Sequence, residues 1–446
     1  MSISLLGIIF LGLGVIGWLF SERLFIATIA ASAVFSTSAA VTIAGNGIPP
    51  FHVVGALAVV SAIVSMLRGA KVRHPAVPLL VLLLVWSVLV TAWAPTLFAG
   101  IPILDPRAGI DRQVYDPTPL AYTPSMAAQV AYLIVGVGVA IYLAQRPRLT
   151  PAVITIPITI GTALSALRLV PGLAEPMDAI FRNSASAGYL GFVQRHFGVF
   201  AEPSYLAVFS IAALAFTVYR LRASRGTERV ALVAVVLLAP VNLFAASSGT
   251  GALGFVLLVG IALVYYGTRF LFARMKLNPW WLLLPLGVVI ALITPNPLTA
   301  SIAEVLDDKS GSASFRNRFA SDLFSLDLTL DTFGIGVGLG ASRPSSFATL
   351  VLSNLGVIGF ALLAVALCLA IARVRITPGW TPAAVALFAL VLAKVIAEPA
   401  LSTPLLWLLV GACLYAGNRA RNEEKPPLSS TVATQRGLVR QSARNA

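Results

Sequence analysis

Three groups that ionise or carry protons fall within eight residues at the head of "RHFGVFAEPSYLAVF" (195–209): Arg195, His196 and Glu202. The residues that follow are apolar enough for lipid, where a charged side chain costs about 2.5–3.5 kcal/mol on insertion scales. A carboxylate and an imidazole can each accept a proton, and a neighbouring guanidinium can hold an anion. A plainer reading stands beside this one: Pro203 fits the first position of a helix and makes Glu202 its N-cap. Ser204 has the type of a nucleophile, but no Ser-His-Asp arrangement can be assembled around it.

Arginine supplies the second group. "SASFRNRF" carries Arg316 and Arg318, and "GASRPSS" carries Arg343. A guanidinium stays charged at any relevant pH and grips phosphate oxygens with two parallel bonds. Several of them converging on one cavity would suit a pyrophosphate better than a neutral solute; the plainer reading, a solvated loop charge, fits Arg318 better than Arg316 or Arg343. Lys394 and Glu398, spaced i, i+4, read as a structural ion pair. "GTGALG" (249–254) has the spacing of a dinucleotide loop, but no strand precedes it. At most it offers a helix N-terminus to an anion. "GIGVGLG" (334–340) reads as a tight approach to a helix. His52, His74 and His196 are too scattered for zinc, Asp307 and Asp308 have no supporting ligands, and Cys368 and Cys413 sit in apolar runs, so no metal or other cofactor is expected.

The elements that must position these residues are membrane helices. Of the 446 residues 58% are hydrophobic and 11% charged, and the mean hydropathy is +0.91. No water-soluble fold hides that much apolar surface. A hydrocarbon core about 30 Å thick needs roughly 20 apolar residues per helix. Thirteen such spans are expected, at 3–20, 24–43, 51–67, 77–97, 125–144, 150–169, 199–219, 230–246, 250–268, 279–296, 346–372, 380–398 and 401–417. The first twenty residues lack a basic n-region and a cleavage site, and read as a retained span. The expected class is an all-α polytopic membrane protein, one domain over 1–417, with a disordered basic tail at 418–446.

Charge orients the spans. The short connections, Arg23 and the tail hold 21 of the 31 Lys and Arg but only 4 of the 17 Asp and Glu. By the positive-inside bias that side is cytoplasmic, with the N-terminus outside and the C-terminus inside. The net charge of +14 is then mostly a topology signal, and nucleic-acid binding is not needed to explain it. Three long segments, 98–124, 170–198 and 297–345, lie outside, and "SIAEVL" and "RNRFASDLFSLDLTL" within the third have amphipathic helical spacing.

"FGVFAEPSYLA", then "SSGTGALGF", then "FRNRF" and "FGIGVGLGASRPSSFATLVLSNLGVIGFALL" occur in that order on the outer side. Over roughly 195–417 this arrangement resembles the Wzy-type polysaccharide polymerases and their relatives, the O-antigen ligases. The resemblance implies a glycosyltransferase of the bacterial inner membrane that joins undecaprenyl-pyrophosphate-linked oligosaccharide repeat units without metal or nucleotide sugar. Donor and acceptor would both be lipid-linked glycans, with a chain-length regulator as a candidate partner. Glu202 matches the glutamate of the polymerase motif, and Arg316 and Arg343 match the outer-loop arginines. Ser345 and Ser346 stand where ligases usually show a histidine, which favours polymerase over ligase. "SSGTG" lacks the arginine often found there, so phosphate contacts must come from elsewhere. The readings carried forward are Glu202 or His196 as the base and Arg195, Arg316, Arg318 and Arg343 on the pyrophosphate. Transport of the same lipid-linked units is the competing class.

Overall fold

The computed structural model describes residues 1–105, 116–183, 195–246, 256, 259–260, 313–374 and 379–423. A short strand β1 (Ser2–Ile3) leads into a packed helix pair, α1 (Leu5–Phe20) and α2 (Glu22–Ser32). A hairpin of β2 (Val41–Ile43) and β3 (Asn46–Ile48) follows, with β1 pairing antiparallel to β2. Next come α3 (Pro50–Leu67), α4 (Ala76–Leu97) and α5 (Pro124–Ala144), with the paired strands β4 (Pro102–Ile103) and β5 (Thr118–Pro119) between the last two. The chain continues through α6 (Ala152–Leu167), α7 (Ala174–Phe181), α8 (Pro203–Arg220), α9 (Gly226–Ala245), α10 (Ala313–Asp331), α11 (Phe347–Val374), α12 (Thr381–Ile396) and α13 (Pro404–Glu423).

Proline sets where several helices begin. Pro50, Pro124, Pro203 and Pro404 each open a helix, where the missing N–H would have had no partner and the fixed φ already suits the turn. Pro49, Ala201 and Pro404 line one cavity, so α3, α8 and α13 start at the same end of the bundle. The opposite end gathers the basic connections. There Arg146 bonds Ser65, the Arg73 amide bonds Asn418, Asn418 reaches the Ala144 carbonyl, and Arg220 is doubly bonded to Glu228.

The core runs along α13. Every residue from Pro404 to Gly417 is buried, and fully buried Trp407 lies against α5. A Cβ at Gly136 would fall 2.4 Å from the Trp407 ring, so only glycine admits the indole there. α8 packs between α12 and α9. Among the six long apolar helices described it is the least apolar and the most enclosed, as expected for a helix that faces protein rather than lipid.

Six of the described helices are long and apolar enough to cross a membrane: α3, α4, α5, α8, α9 and α11. That is fewer than the thirteen expected. Helices α1, α6 and α12 are apolar but have 16 residues each; at 1.5 Å per residue they reach about 24 Å, short of a full hydrocarbon core. The expected span 24–43 stops at Ser32, because Ser36, Thr37, Ser38 and then Gly45, Gly47 and Pro49 favour turns over helix. The two small sheets correct the all-α expectation. Helix α13 runs past Gly417 to Glu423, into the segment expected to be a disordered tail. The expected span 250–268 apart from Val256, Val259 and Gly260, the span 279–296, the "SIAEVL" helix, "GTGALG", Asp307, Asp308 and residues 424–446 lie outside the described residues.

Two features of this end of the molecule shape the site. First, α11 is broken at Gly356, which adopts φ 67° and ψ −173°. The break frees carbonyls that lipid could not satisfy. The glycine-rich arm supplies the partners: Val337 and Gly338 amides bond the Ser353 and Asn354 carbonyls, and the Val357 amide bonds the Gly334 carbonyl. The Trp86 indole takes the Leu355 carbonyl at 2.7 Å. A Cβ at Gly356 would sit 2.1 Å from the Gly334 oxygen, so the arm and the break require each other.

Second, α10 buries a line of small polar side chains and exposes a mixed outward side. Asn317, Ser321, Ser325 and Thr329 are buried with Leu328, whereas Phe319, Leu323, Leu326 and Leu330 are exposed with Arg316, Asp327 and Asp331. Its inward side combines the Ser321 and Ser345 hydroxyls, 2.7 Å apart, with Leu328 and Phe324 packed into a small apolar cluster.

Candidate active site

Glu202 is carried in by a pinned loop. The Phe197 ring is clasped between Arg168 and Arg182, whose guanidinium carbons lie 4.1 and 4.3 Å from its centre. The Val199 amide bonds Ser165 Oγ, and the Val199 carbonyl accepts from Thr37. The chain then passes through extended backbone at Glu202 (φ −144°, ψ 157°) into α8. Glu202 occupies the N-cap position, as its sequence predicts, yet its side chain makes no capping bond.

The carboxylate turns instead to side chains. Its Oε1 lies 3.4 Å from Arg343 Nη2 and its Oε2 3.8 Å from Arg318 Nη2. Ser204 Oγ donates to Oε2 at 3.3 Å. Arg343 Nη2 also donates to the Tyr205 hydroxyl at 3.2 Å. Glu202 is 8% exposed, and a buried polar group is costly without hydrogen-bond partners. Both arginine contacts exceed the 2.7–2.9 Å typical, as an order of magnitude of about 3 Å, of a tight charge-assisted bond. Two cations thus share one anion without being spent on it.

The arginines are set by a backbone framework. The Arg343 amide bonds the Leu104 carbonyl, and Asn354 bonds both the amide and the carbonyl of Ser342. Asp322, one turn after Arg318 on α10, places Oδ1 on the Ser345 and Ser346 amides at 2.9 and 3.0 Å and on the Thr349 hydroxyl at 2.8 Å. It caps α11 from a neighbouring helix, using free N–H groups that favour negative charge. That clasp holds Arg318 and Arg343 on either side of Glu202. Asp322→Ala leaves those amides unsatisfied, at a cost of about 1–3 kcal/mol. Faster hydrogen exchange at residues 345–349 should follow, with α8 unaffected, as read by mass spectrometry on the full chain. Unchanged protection would remove Asp322 from this positioning role.

Of the residues singled out from sequence, the structure brings Glu202, Arg318 and Arg343 together. Arg195 and Arg316 are exposed, the first at the head of the loop and the second on the outward side of α10. His196 belongs to a different neighbourhood. Burial first and the Arg168 cation second lower it below the ordinary imidazole range, against contacts with the Ser165 backbone and the Asn242 side chain. Arg168 pairs with Asp178. Lys394 and Glu398 form the expected ion pair at 2.9 Å, fully inside the protein.

Sequence reading passed over Tyr205 and Asp322. Tyr205 lies within "AEPSYLA" itself, one turn into α8, and Asp322 follows Arg318 at the i+4 spacing of a shared helix face. Either spacing could have flagged them.

The fold defines a class: a multi-pass integral membrane protein, largely helical, with a buried carboxylate–arginine cluster at one end. No family model matches the chain, and no curated protein is significantly similar to it. Within that class the particular activity rests on the chemistry of the site.

Proposed function

We propose that the protein is a glycosyltransferase of the bacterial inner membrane that polymerises undecaprenyl-pyrophosphate-linked repeat units at the outer leaflet. The observation that carries this reading is the pairing of Glu202 with Arg318 and Arg343 at the end opposite the basic connections. By the positive-inside bias that end faces outward. In the reaction, the acceptor hydroxyl oxygen attacks the anomeric carbon while Glu202 takes its proton. The carbon–oxygen bond to pyrophosphate breaks, its electron pair leaves with the phosphate, and the anomeric configuration inverts. Arg318 and Arg343 stabilise the departing charge, an electrostatic role that often dominates catalysis. Because both hold Glu202 loosely, an arriving pyrophosphate draws them off the carboxylate and releases the base as the substrate seats.

A second reading, movement of the same lipid-linked units across the membrane, draws on the broken α11 and the buried Lys394–Glu398 pair, both features of transporters. The carbonyls at that break are already bonded to the glycine arm and Trp86, which leaves them unsuited to hold an ion and favours the enzyme. Reconstitution of the pure protein with defined lipid-linked donors and acceptors decides between them. A ladder of extended glycans on lipid supports polymerisation, and transfer only to a different acceptor supports a ligase. Transbilayer movement without new glycosidic bonds would overturn both.

A further inference from the structure

The end of the bundle that the positive-inside bias turns to the cytoplasm holds a recess of about 650 Å³. Three separate pieces of chain wall it: the α3–α4 connection with Lys71, the α5–α6 connection with Arg146 and Arg148, and α13 with Tyr415, Asn418 and Arg419. We propose that this recess is a binding site for the phosphate headgroup of an anionic membrane lipid.

Charge is the first argument. Among the described residues, four cationic side chains line the recess and no acidic one does. Elsewhere at this end a cation is given its own carboxylate, as Arg220 is by two bonds of 2.9 and 3.0 Å to Glu228. Arg146, by contrast, comes no closer than 4.0 Å to the exposed Glu22. Like charges gathered in one place repel, and a phosphate seated among them relieves that repulsion while offering several acceptor oxygens to their donors.

A fixed framework is the second. Arg146 donates from Nε to the Tyr142 carbonyl at 3.2 Å and from Nη2 to Ser65 Oγ at 3.3 Å, with its guanidinium carbon 4.3 Å from the centre of the Tyr142 ring. Gln145 Nε2 donates to the Ala62 carbonyl at 3.2 Å. Asn418 accepts from the Arg73 amide at 2.9 Å and donates to the Ala144 carbonyl at 3.4 Å. These bonds tie the ends of α3, α5 and α13 to one another, so the walls are set before a ligand arrives.

Position selects a lipid. Met66 and Leu67, in the last turn of α3, are 42% and 83% exposed, and the same turn carries Ser65, the partner of Arg146. An apolar shelf thus adjoins a cationic recess at the end of a helix long enough to cross a membrane. That pairing matches a phospholipid, with an acyl chain on the shelf and its phosphate in the recess, as basic pockets between membrane helices on this side hold headgroups in general.

The proposal stands apart from the glycosyl-transfer reading. Its test is native mass spectrometry of the full chain in detergent, with phosphatidylglycerol, phosphatidylcholine of the same acyl chains, and inorganic phosphate as probes. Phosphatidylglycerol should stay bound at collision energies that strip phosphatidylcholine. Lys71 and Arg148 are exposed, so Lys71→Gln with Arg148→Gln keeps the fold and should weaken phosphatidylglycerol by about thirtyfold. Arg225→Gln with Arg229→Gln, which removes the same charge from exposed positions around the start of α9, should leave binding unchanged. Equal loss from the two double variants, the mark of diffuse attraction to a basic surface, overturns the site, as does unchanged binding in Lys71→Gln with Arg148→Gln. Binding of inorganic phosphate with no preference between the two lipids assigns the recess to a soluble phosphate and overturns the headgroup.

Discussion

Glu202→Gln is expected to stop chain extension while the protein remains folded and inserted. The amide keeps the size of the carboxylate and can still accept from Ser204 and Arg343, but it cannot take a proton at neutral pH. Removing a general base lowers rates by about 10²–10⁴-fold, so single lipid-linked repeat units should accumulate in place of a ladder on gels of labelled glycan. Arg343→Ala should give the same product pattern for a different reason, since it removes a partner of both Glu202 and Tyr205 and with it the stabilisation of the leaving pyrophosphate. The two variants separate by affinity. Glu202→Gln should bind the lipid-linked donor as well as the parent, whereas Arg343→Ala should bind it more weakly. A normal ladder from Glu202→Gln would sink the proposed role of this carboxylate.

Lys394→Ala should be the most destabilising single change outside the glycine contacts. Lys394 is 0% exposed and Glu398 5%, and the lysine contacts the Glu398 carboxylate, the Glu398 carbonyl and Thr403 Oγ1. Its ammonium also lies 5.1 Å from the centre of the Phe347 ring at the start of α11. Truncation leaves a buried carboxylate without its cation, a penalty of about 3–5 kcal/mol. Thermal unfolding in detergent should show a large drop in midpoint. Lys394→Met combined with Glu398→Gln, which removes both charges together, should recover most of it. If the double variant melts as low as Lys394→Ala, packing rather than the unpaired charge is responsible.

How far the sequence reached follows from what spacing can and cannot say. Pro203 after Glu202 announced a helix start, and the structure puts the start there. The same motif could not say that the carboxylate would decline the cap, because that choice depends on arginines more than a hundred residues away. Arg316 and Arg318 posed a similar limit. Residues two apart on a helix do not share a face, so at most one could point to the site, and the burial of α10 favours Arg318. Helix periodicity marked α10 as two-faced, but not which of its residues would meet α11. Span counting was too generous where serine, threonine and glycine interrupt apolar sequence, as between Ser32 and Pro49. The i, i+4 spacing of Lys394 and Glu398 gave the pair correctly. It did not foretell that α12 would end at Ile396 and leave Glu398 beyond the helix, in a left-handed turn beside a cavity.

The attachment of α10 carries one more implication. Its outward side mixes Phe319, Leu323, Leu326 and Leu330 with Arg316, Asp327 and Asp331, so apolar burial on that side does not hold it. Asp322 and Ser321 tie it to the start of α11, and Arg318 rides on it like a gauge needle. The place of that guanidinium beside Glu202 is then set by where Asp322 fastens the helix. A carboxylate that does not touch Glu202 is thus part of the scaffold that aligns the site.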